Sequence, residues 1–290
     1  MQLLLYIILY PILWLISILP FRIFYIFSDF ICFLVYNIIG YRKKIVRENI
    51  SLALPHLSAK EQRVVEKKFY KHLCDLFLEM IKTISISKEE IERRYTFKNI
   101  EVYKELEKKN KSVALLCAHY ASYEWAISMN YHLNFIGYGI YKKLANPYFD
   151  KLVRDIRSKF KAVLITTKET IPTIHHNYKN NILSIYGFAS DQSPKLNATH
   201  HWVSFMGHVV PVHTGAEMLA KRFDMNVIFL KTRKVKRGYY EASFEILSVD
   251  AKSVPNYEIT DQFLKLVEGQ ILEAPEFYLW THKRWKHRKD

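Results

Sequence analysis

The chain has 290 residues, half of them hydrophobic and 15% aromatic, enough to bury a core as one large domain or two small ones. Its formal net charge of +15 asks for an anionic partner: nucleic acid, an anionic membrane surface or an acidic carrier protein. The three cysteines, Cys32, Cys74 and Cys117, are scattered through apolar patterns, which excludes a disulfide framework and suits core thiols facing a reducing compartment.

From Leu3 to Leu19 there is no charge, a length near the lower limit for a spanning helix. Pro11 is tolerable in lipid, where neighbours can satisfy the freed carbonyl. Onward to Gly40 the only charges are Arg22 and Asp29, and Tyr6, Tyr10, Trp14, Tyr25 and Tyr36 supply interfacial aromatics. No basic segment precedes the apolar run and no small-residue cleavage site closes it, which argues against a cleaved signal peptide. A buried soluble helix is the competing reading; length and lack of charge weigh against it. Arg42, Lys43, Lys44 and Arg47 follow at once, so this end faces the cytoplasm by the positive-inside rule. Residues 1–40 read as a membrane anchor and 41–290 as a body on the cytoplasmic face. Two topologies fit: one helix spans while Phe21 to Ile39 lies along the membrane, or both segments dip in.

The body begins with basic, interfacial residues 41–57. Ser58 and Glu61 form a capping-box pattern that opens a helix to about Ile84, with Val65, Phe69, Leu73, Leu76, Phe77 and Met80 on a core-facing side. Ser87 and Glu90 suggest a second cap, and Ile100 to Lys109 a short helix. The pattern then alternates. Strands are expected at Val113–Cys117, Phe135–Tyr141, Ala162–Thr166 and Ile182–Phe188, with helices from Ala121, from Asn146-Pro147 to about Phe160, and over Glu169–Tyr178. Short extended pieces flank Gly207, Thr214–Phe223 is helical, Val227–Val235 and Tyr240–Val249 make a hairpin, and the last helix spans Thr260–Leu272. This alternation predicts an α/β fold: a mostly parallel, mixed sheet flanked by helices, with an antiparallel edge. Loops after parallel strands gather at one edge, which brings together His119, Asp191 and the Tyr141–Asn146 turn.

His119 stands in the turn after the first buried strand, and Glu124 follows five positions later in the expected helix. A neutral histidine can take a proton from a hydroxyl, and a carboxylate can fix its tautomer and stabilise the imidazolium. Alone, that spacing is common by chance, and a polar strand end with a solvated helix start is its bland alternative. The twelve histidines include the adjacent pairs His175-His176 and His200-His201, which lack the same-face spacing of a helical zinc site. No metal or cofactor is expected.

Several stretches match one family in order. They are His119-Tyr-Ala-Ser-Tyr-Glu124 as an HxxxxE motif, Tyr141-Lys-Lys-Leu-Ala-Asn146-Pro147 leading to Arg154 and Arg157, and Ser190-Asp191-Gln192-Ser193-Pro194. Val203 to Gly207, Gly215 to Ala220, and Pro275-Glu276 through Trp280, His282 and Arg284 to Lys286 follow. The chain resembles the bacterial lipid A biosynthesis (late) acyltransferases, within the lysophospholipid acyltransferase superfamily, over nearly its whole length. It departs where Ser-Pro rather than a second acid follows Asp191-Gln192, and in a histidine-rich segment between His201 and Gly215. No EGTR-type phosphate-binding stretch of the glycerolipid branch is present, which favours the lipid A branch.

The resemblance implies a glycerolipid-acyltransferase-like fold in the inner membrane and transfer of a fatty acyl chain from an acyl thioester to a hydroxyl of a lipid A precursor. The donor would be acyl carrier protein or acyl-CoA, and the acceptor an anionic lipid. His119 would act as base with Glu124 orienting it. Arg154 and Arg157, three apart on one helix, would clamp a phosphate, and Arg157 or backbone N–H groups near Asp191-Gln192 would hold the oxyanion. Asp191 would hold Arg157 or the surrounding network, with a plain turn former as its alternative. The C-terminal Trp280, His282, Arg284, Trp285, His287 and Arg288 would meet headgroups or form a docked basic tail. An aminolipid or lysophospholipid acceptor is the rival within the fold. A nucleic-acid binder is the rival outside it, and no helix-turn-helix, zinc finger or aromatic RNA motif supports that reading. A catalytically dead scaffold conflicts with an intact His119–Glu124 pair.

Overall fold

The computed structural model describes residues 2–289. Two apolar helices open it, α1 (Gln2–Ile18) and α2 (Phe21–Phe33), the latter running on as a π-helical turn over Leu34–Ile39 that Gly40 ends in a left-handed conformation. Helix α3 (Lys43–Ala53) buries Val46, Asn49 and Ile50 instead of lying free at an interface. The capping box at Ser58 and Glu61 forms as the spacing predicts and starts α4 (Ala59–Lys82). Val65, Phe69, Leu73 and Leu76 of α4 are core, but Phe77 is 49% exposed and Met80 only half-buried, so the expected core face is narrower than its apolar pattern.

Ser87 caps α5 (Lys88–Arg94), and then come β1 (Tyr95–Phe97), α6 (Ile100–Glu107), β2 (Val113–Cys117) and β3 (Ile136–Tyr141). Asn146 Oδ1 accepts the N–H groups of Tyr148 and Phe149 and starts α7 (Pro147–Ser158). Then follow β4 (Val163–Thr166), α8 (Thr170–Lys179), β5 (Ser184–Ala189), the hairpin β6 (His201–Phe205) and β7 (His208–Val212), and α9 (Gly215–Arg222). The long hairpin β8 (Asn226–Lys236) and β9 (Tyr239–Ser248) and helix α10 (Glu258–Glu273) complete the element list.

Seven strands form one sheet in the order β1-β9-β8-β2-β5-β3-β4, parallel except for β8 against β9. This is the mostly parallel α/β architecture that the alternation implies. Four of the five residues of β2 are buried, as a strand covered on both faces requires. Strand β1 escapes the sequence pattern because it has three residues and docks only on the β9 edge.

The N-terminal helices lie against the body along their length. Asn146 Nδ2 donates to the Gln2 carbonyl at one end of α1, and Ser85 Oγ donates to the Ser17 carbonyl at the other (2.6 Å). On α2, Tyr25 donates to Glu79 (2.8 Å), Ser28 donates to Asp75 (2.7 Å), and Asp29 accepts from Arg237 (2.8 Å). The β8–β9 turn presses on this helix: a Cβ at Gly238 would stand 2.0 Å from the Tyr25 hydroxyl. By length and composition the segment Phe21–Ile39 is apolar enough to cross a membrane, whereas α1 has 17 residues. The outward residues of both helices, among them Leu4, Ile8, Leu15, Ile26, Phe30 and Phe33, are exposed.

Candidate active site

Strands β2 and β5 are parallel neighbours, and Cys117 at the end of one pairs with Ala189 at the end of the other. Two residues beyond each lie His119 and Asp191. The register alone therefore sets them side by side at the carboxyl edge of the sheet. Asp191 Oδ1 accepts the His119 backbone N–H (3.1 Å) and lies 2.7 Å from His119 Nδ1. A contact this short to a carboxylate assigns the ring proton to Nδ1 and leaves Nε2 as the acceptor. Burial disfavours the His119 imidazolium, but the adjacent Asp191 charge, its hydrogen bond and the Glu124 charge outweigh burial and raise the pKa above its ordinary value. Burial likewise opposes ionisation of Asp191, yet His119 and the bonded backbone N–H groups keep its carboxyl below the usual value.

Glu124 does not hold the imidazole. The segment after His119 does not enter an α-helix at Ala121, which takes a positive φ of 49°; a 3-10 helix starts only at Trp125. Glu124 faces α7, where its Oε2 accepts from Arg157 Nη2 at 2.6 Å. The expected partnership is thus exchanged: Asp191 orients His119, and Arg157 is held by Glu124, not by Asp191. Arg157 and Glu124 are both mostly buried, while Arg154, one turn back, is exposed and lies outside the cavity. A clamp formed jointly by the two arginines does not exist here, because α7 turns only Arg157 inward. Gln192 is half-buried beside Asp191 and does not line the cavity either.

That cavity has a volume of about 350 Å³, within the range of small-molecule sites. His119, Tyr123, Glu124, Lys142 and Arg157 form its polar part. Below them it runs along one face of β2, β3 and β5, where Leu115 and Cys117, Gly137 and Gly139, and Ile185, Gly187 and Ala189 alternate onto the same side. Glycine in a strand marks close approach of another group, and here Asn130 stands over Gly137 and Leu164 over Gly139. A Cβ on Gly187 would meet nothing closer than 3.7 Å, so that position opens straight into the space. Burial pushes the Cys117 thiol up to about 12, leaving it an inert wall. Gly187 leaves room in the cavity while Gly137 and Gly139 admit the side chains of Asn130 and Leu164, and the sequence signal for all three is their place inside otherwise apolar strands.

The C-terminal segment is docked on the body, as the alternative reading has it, with Lys283, Lys286 and Arg288 left exposed. Trp280, Arg284 and Trp285 are buried, and the Arg284 guanidinium stacks on Phe205 and donates to Ser193 Oγ and to the Pro211 carbonyl. Burial pushes His282 down to about 4, which leaves it neutral to accept the Ser193 N–H. The Leu279 N–H donates to the His119 carbonyl, and the Ala121 N–H to the Phe277 carbonyl, so this segment straps the turn that carries His119.

A histidine backed by a buried aspartate, at the mouth of a largely apolar cavity in an α/β sheet, has the form of an enzyme site. Residues 2–287 match the family described as bacterial lipid A biosynthesis acyltransferase, and the chain belongs to that family. A lipid A biosynthesis lauroyltransferase of Escherichia coli (strain K12) is 22% identical over 283 residues, covering 96% of this chain and 90% of the relative. The chain is therefore an enzyme of acyl transfer in lipid A biosynthesis and associates with membranes.

Proposed function

We propose that the enzyme transfers a fatty acyl chain from an acyl thioester on acyl carrier protein to a hydroxyl of a lipid A precursor, on the cytoplasmic face of the inner membrane. The observation that carries this reading is the His119–Asp191 pair at the head of the cavity along β2, β3 and β5. The donor chain lies along the sheet face with its carbonyl beside His119. Nε2 takes the proton from the acceptor hydroxyl as its oxygen attacks that carbonyl, and Asp191 steadies the imidazolium. The carbon–sulfur bond then breaks, and the leaving thiolate takes the proton from His119. Arg157 keeps donors free after Nη2 is committed to Glu124, and these face the oxygen that becomes the oxyanion. The charge of +15 suits both an acidic carrier and an anionic lipid surface.

The helices α1 and α2 support an in-plane, one-leaflet attachment over a crossing. At about 25 Å, α1 is short of a hydrocarbon core of roughly 30 Å, and both its ends are bonded to the polar body. Helix α2 is tied at its middle to Asp75, Glu79 and Arg237, which a spanning helix would carry to bilayer depth. A cysteine placed at Gln2 in a chain stripped of its own cysteines should react only with reagents admitted from the cytoplasmic side. Labelling from the opposite side would mean that α1 crosses.

Mass spectrometry of lipid A and polar lipids tests the reaction, in cells lacking the gene and complemented with the wild type or with His119→Ala. Loss of one acyl chain from lipid A with the variant alone is the expected result. Intact lipid A, with the missing chain on another lipid, would move the enzyme to that acceptor.

A further inference from the structure

A second cavity of about 340 Å³ lies between α1, α4 and α7. It is almost wholly apolar, with Leu13, Phe77, Met80, Phe149, Val153 and Ile156 on its walls. It meets the catalytic cavity at one place: Glu124, Ile127 and Arg157 line both. We propose that this chamber seats a hydrocarbon chain of the acceptor lipid, drawn from the bilayer, with the Glu124–Arg157 pair as the partition from the donor chain. The proposal rests on the acyl-transfer reading above and adds to it a second binding site.

Three observations favour the acceptor over the donor as occupant. First, the chamber touches the membrane-facing side: Leu13 belongs to the exposed apolar helix α1, and Phe77 is 49% exposed beside it. A lipid can pass there without leaving an apolar surface, whereas a chain delivered by a water-soluble carrier arrives from the other side. Second, α7 carries Phe149, Leu152, Val153 and Ile156 at one-face spacing, yet among its own residues only Asp150 is fully buried. The stripe therefore covers a space and not a packed core. Third, a chain ending at Glu124 and Arg157 holds its polar end beside the cavity where His119 works, as an acceptor hydroxyl requires.

The test compares purified full-length wild type, Val153→Trp and Phe77→Gln in detergent micelles. Two probes serve as acceptors: a lipid A precursor with full-length chains, and the same precursor with its chains shortened. Thioesters of several chain lengths serve as donors. Because Phe77 is exposed, its variant keeps the test open should Val153→Trp fail to fold. We expect the ratio of kcat/KM for the long-chained over the short-chained acceptor to fall about tenfold, the scale of losing a few buried methylenes, with the donor length profile unmoved. In the reverse control, Gly187→Leu shifts the donor profile to shorter chains and leaves the acceptor ratio alone. A changed donor profile in Val153→Trp would give the chamber to the donor, and an unchanged acceptor ratio in folded Phe77→Gln would empty it; either overturns the proposal. Failure of the wild type to acylate any lipid would instead remove the acyl-transfer reading beneath it.

Discussion

The cluster of His119, Asp191, Glu124 and Arg157 and the cluster of Asp75, Glu79, Lys234 and Arg237 are made of the same kinds of groups. Both combine nearly inaccessible acids with cations, and each has a histidine in contact: His119 in one, fully buried His72 beside Lys234 in the other. They differ in what surrounds them. In the second cluster Asp75 accepts from Ser28 and Arg237, and Glu79 accepts from Tyr25 (2.8 Å) and Tyr240 (2.9 Å). None of its four members lines either of the two cavities. Burial, then the Lys234 charge, pushes the His72 pKa well below its ordinary value, so it stays neutral. In the first cluster Nε2 of His119 remains an acceptor at an open space. A buried acid with a histidine becomes a chemical site when a ligand can reach the remaining valence, and a structural bolt when none can.

The largest effect that would sharpen this contrast is at His119. Replacement by alanine should lower turnover by ~10² to 10⁴-fold, the usual worth of a general base, with thermal stability retained. Near-normal turnover would take His119 out of the mechanism. Asp191→Asn should cost up to about 10⁴-fold, since the imidazole loses its orienting charge and its tautomer. It should also move the pH profile. If His119 is the base, the free enzyme should lose activity as pH falls through its raised pKa, because the base must be neutral; without the carboxylate, that acid limb should shift to lower pH. A limb that stays in place would show that Asp191 does not set the histidine.

In the other cluster the readout is stability, not rate. Arg237→Ala leaves the buried Asp75 with Lys234 at 3.5 Å as its remaining cation, and breaking such a pair typically costs about 3 kcal/mol. A lower Tm with unchanged kcat in the folded protein is expected; a loss of kcat at full stability would blur the distinction between the clusters. The smallest effect concerns Glu79, whose carboxyl burial raises to about 7 despite opposing bonds and charge. A carboxyl raised on folding favours the protonated form. Its contribution to stability is full below the unfolded value and fades as pH rises through about 7. Glu79→Gln should flatten the stability curve over that window, as chemical denaturation at several pH values would register.

How far these assignments were open to sequence reading depends on the range of the contact behind each. The capping box at Ser58 and the Asn146 cap are contacts within four residues, and the sequence pattern finds them. The alternation of strands and helices yields the parallel sheet, and with it the meeting of His119, Asp191 and the turn after β3 at one edge. Which acid touches the imidazole was not legible. Glu124 is near His119 in sequence, but the positive φ at Ala121 and the late 3-10 start carry it away; Asp191 arrives through a strand pairing seventy-two residues distant. The C-terminal basic and aromatic residues left two readings open, headgroup contact or a docked tail, for a related reason. Composition reads their charge, while burial of Arg284 depends on Phe205, Ser193 and Pro211 from elsewhere in the chain.

The strap across the His119 turn carries a consequence for the order of events during synthesis. Helices α1 and α2 leave the ribosome before the rest of the described chain. The carbonyl of His119 and the N–H of Ala121 then wait for Leu279 and Phe277, which are translated long after the sheet residues they brace. Attachment to the lipid surface can therefore precede completion of the His119 turn. A chain terminated ahead of Phe277 would keep helices α1 and α2 but lose the strap on the His119 turn.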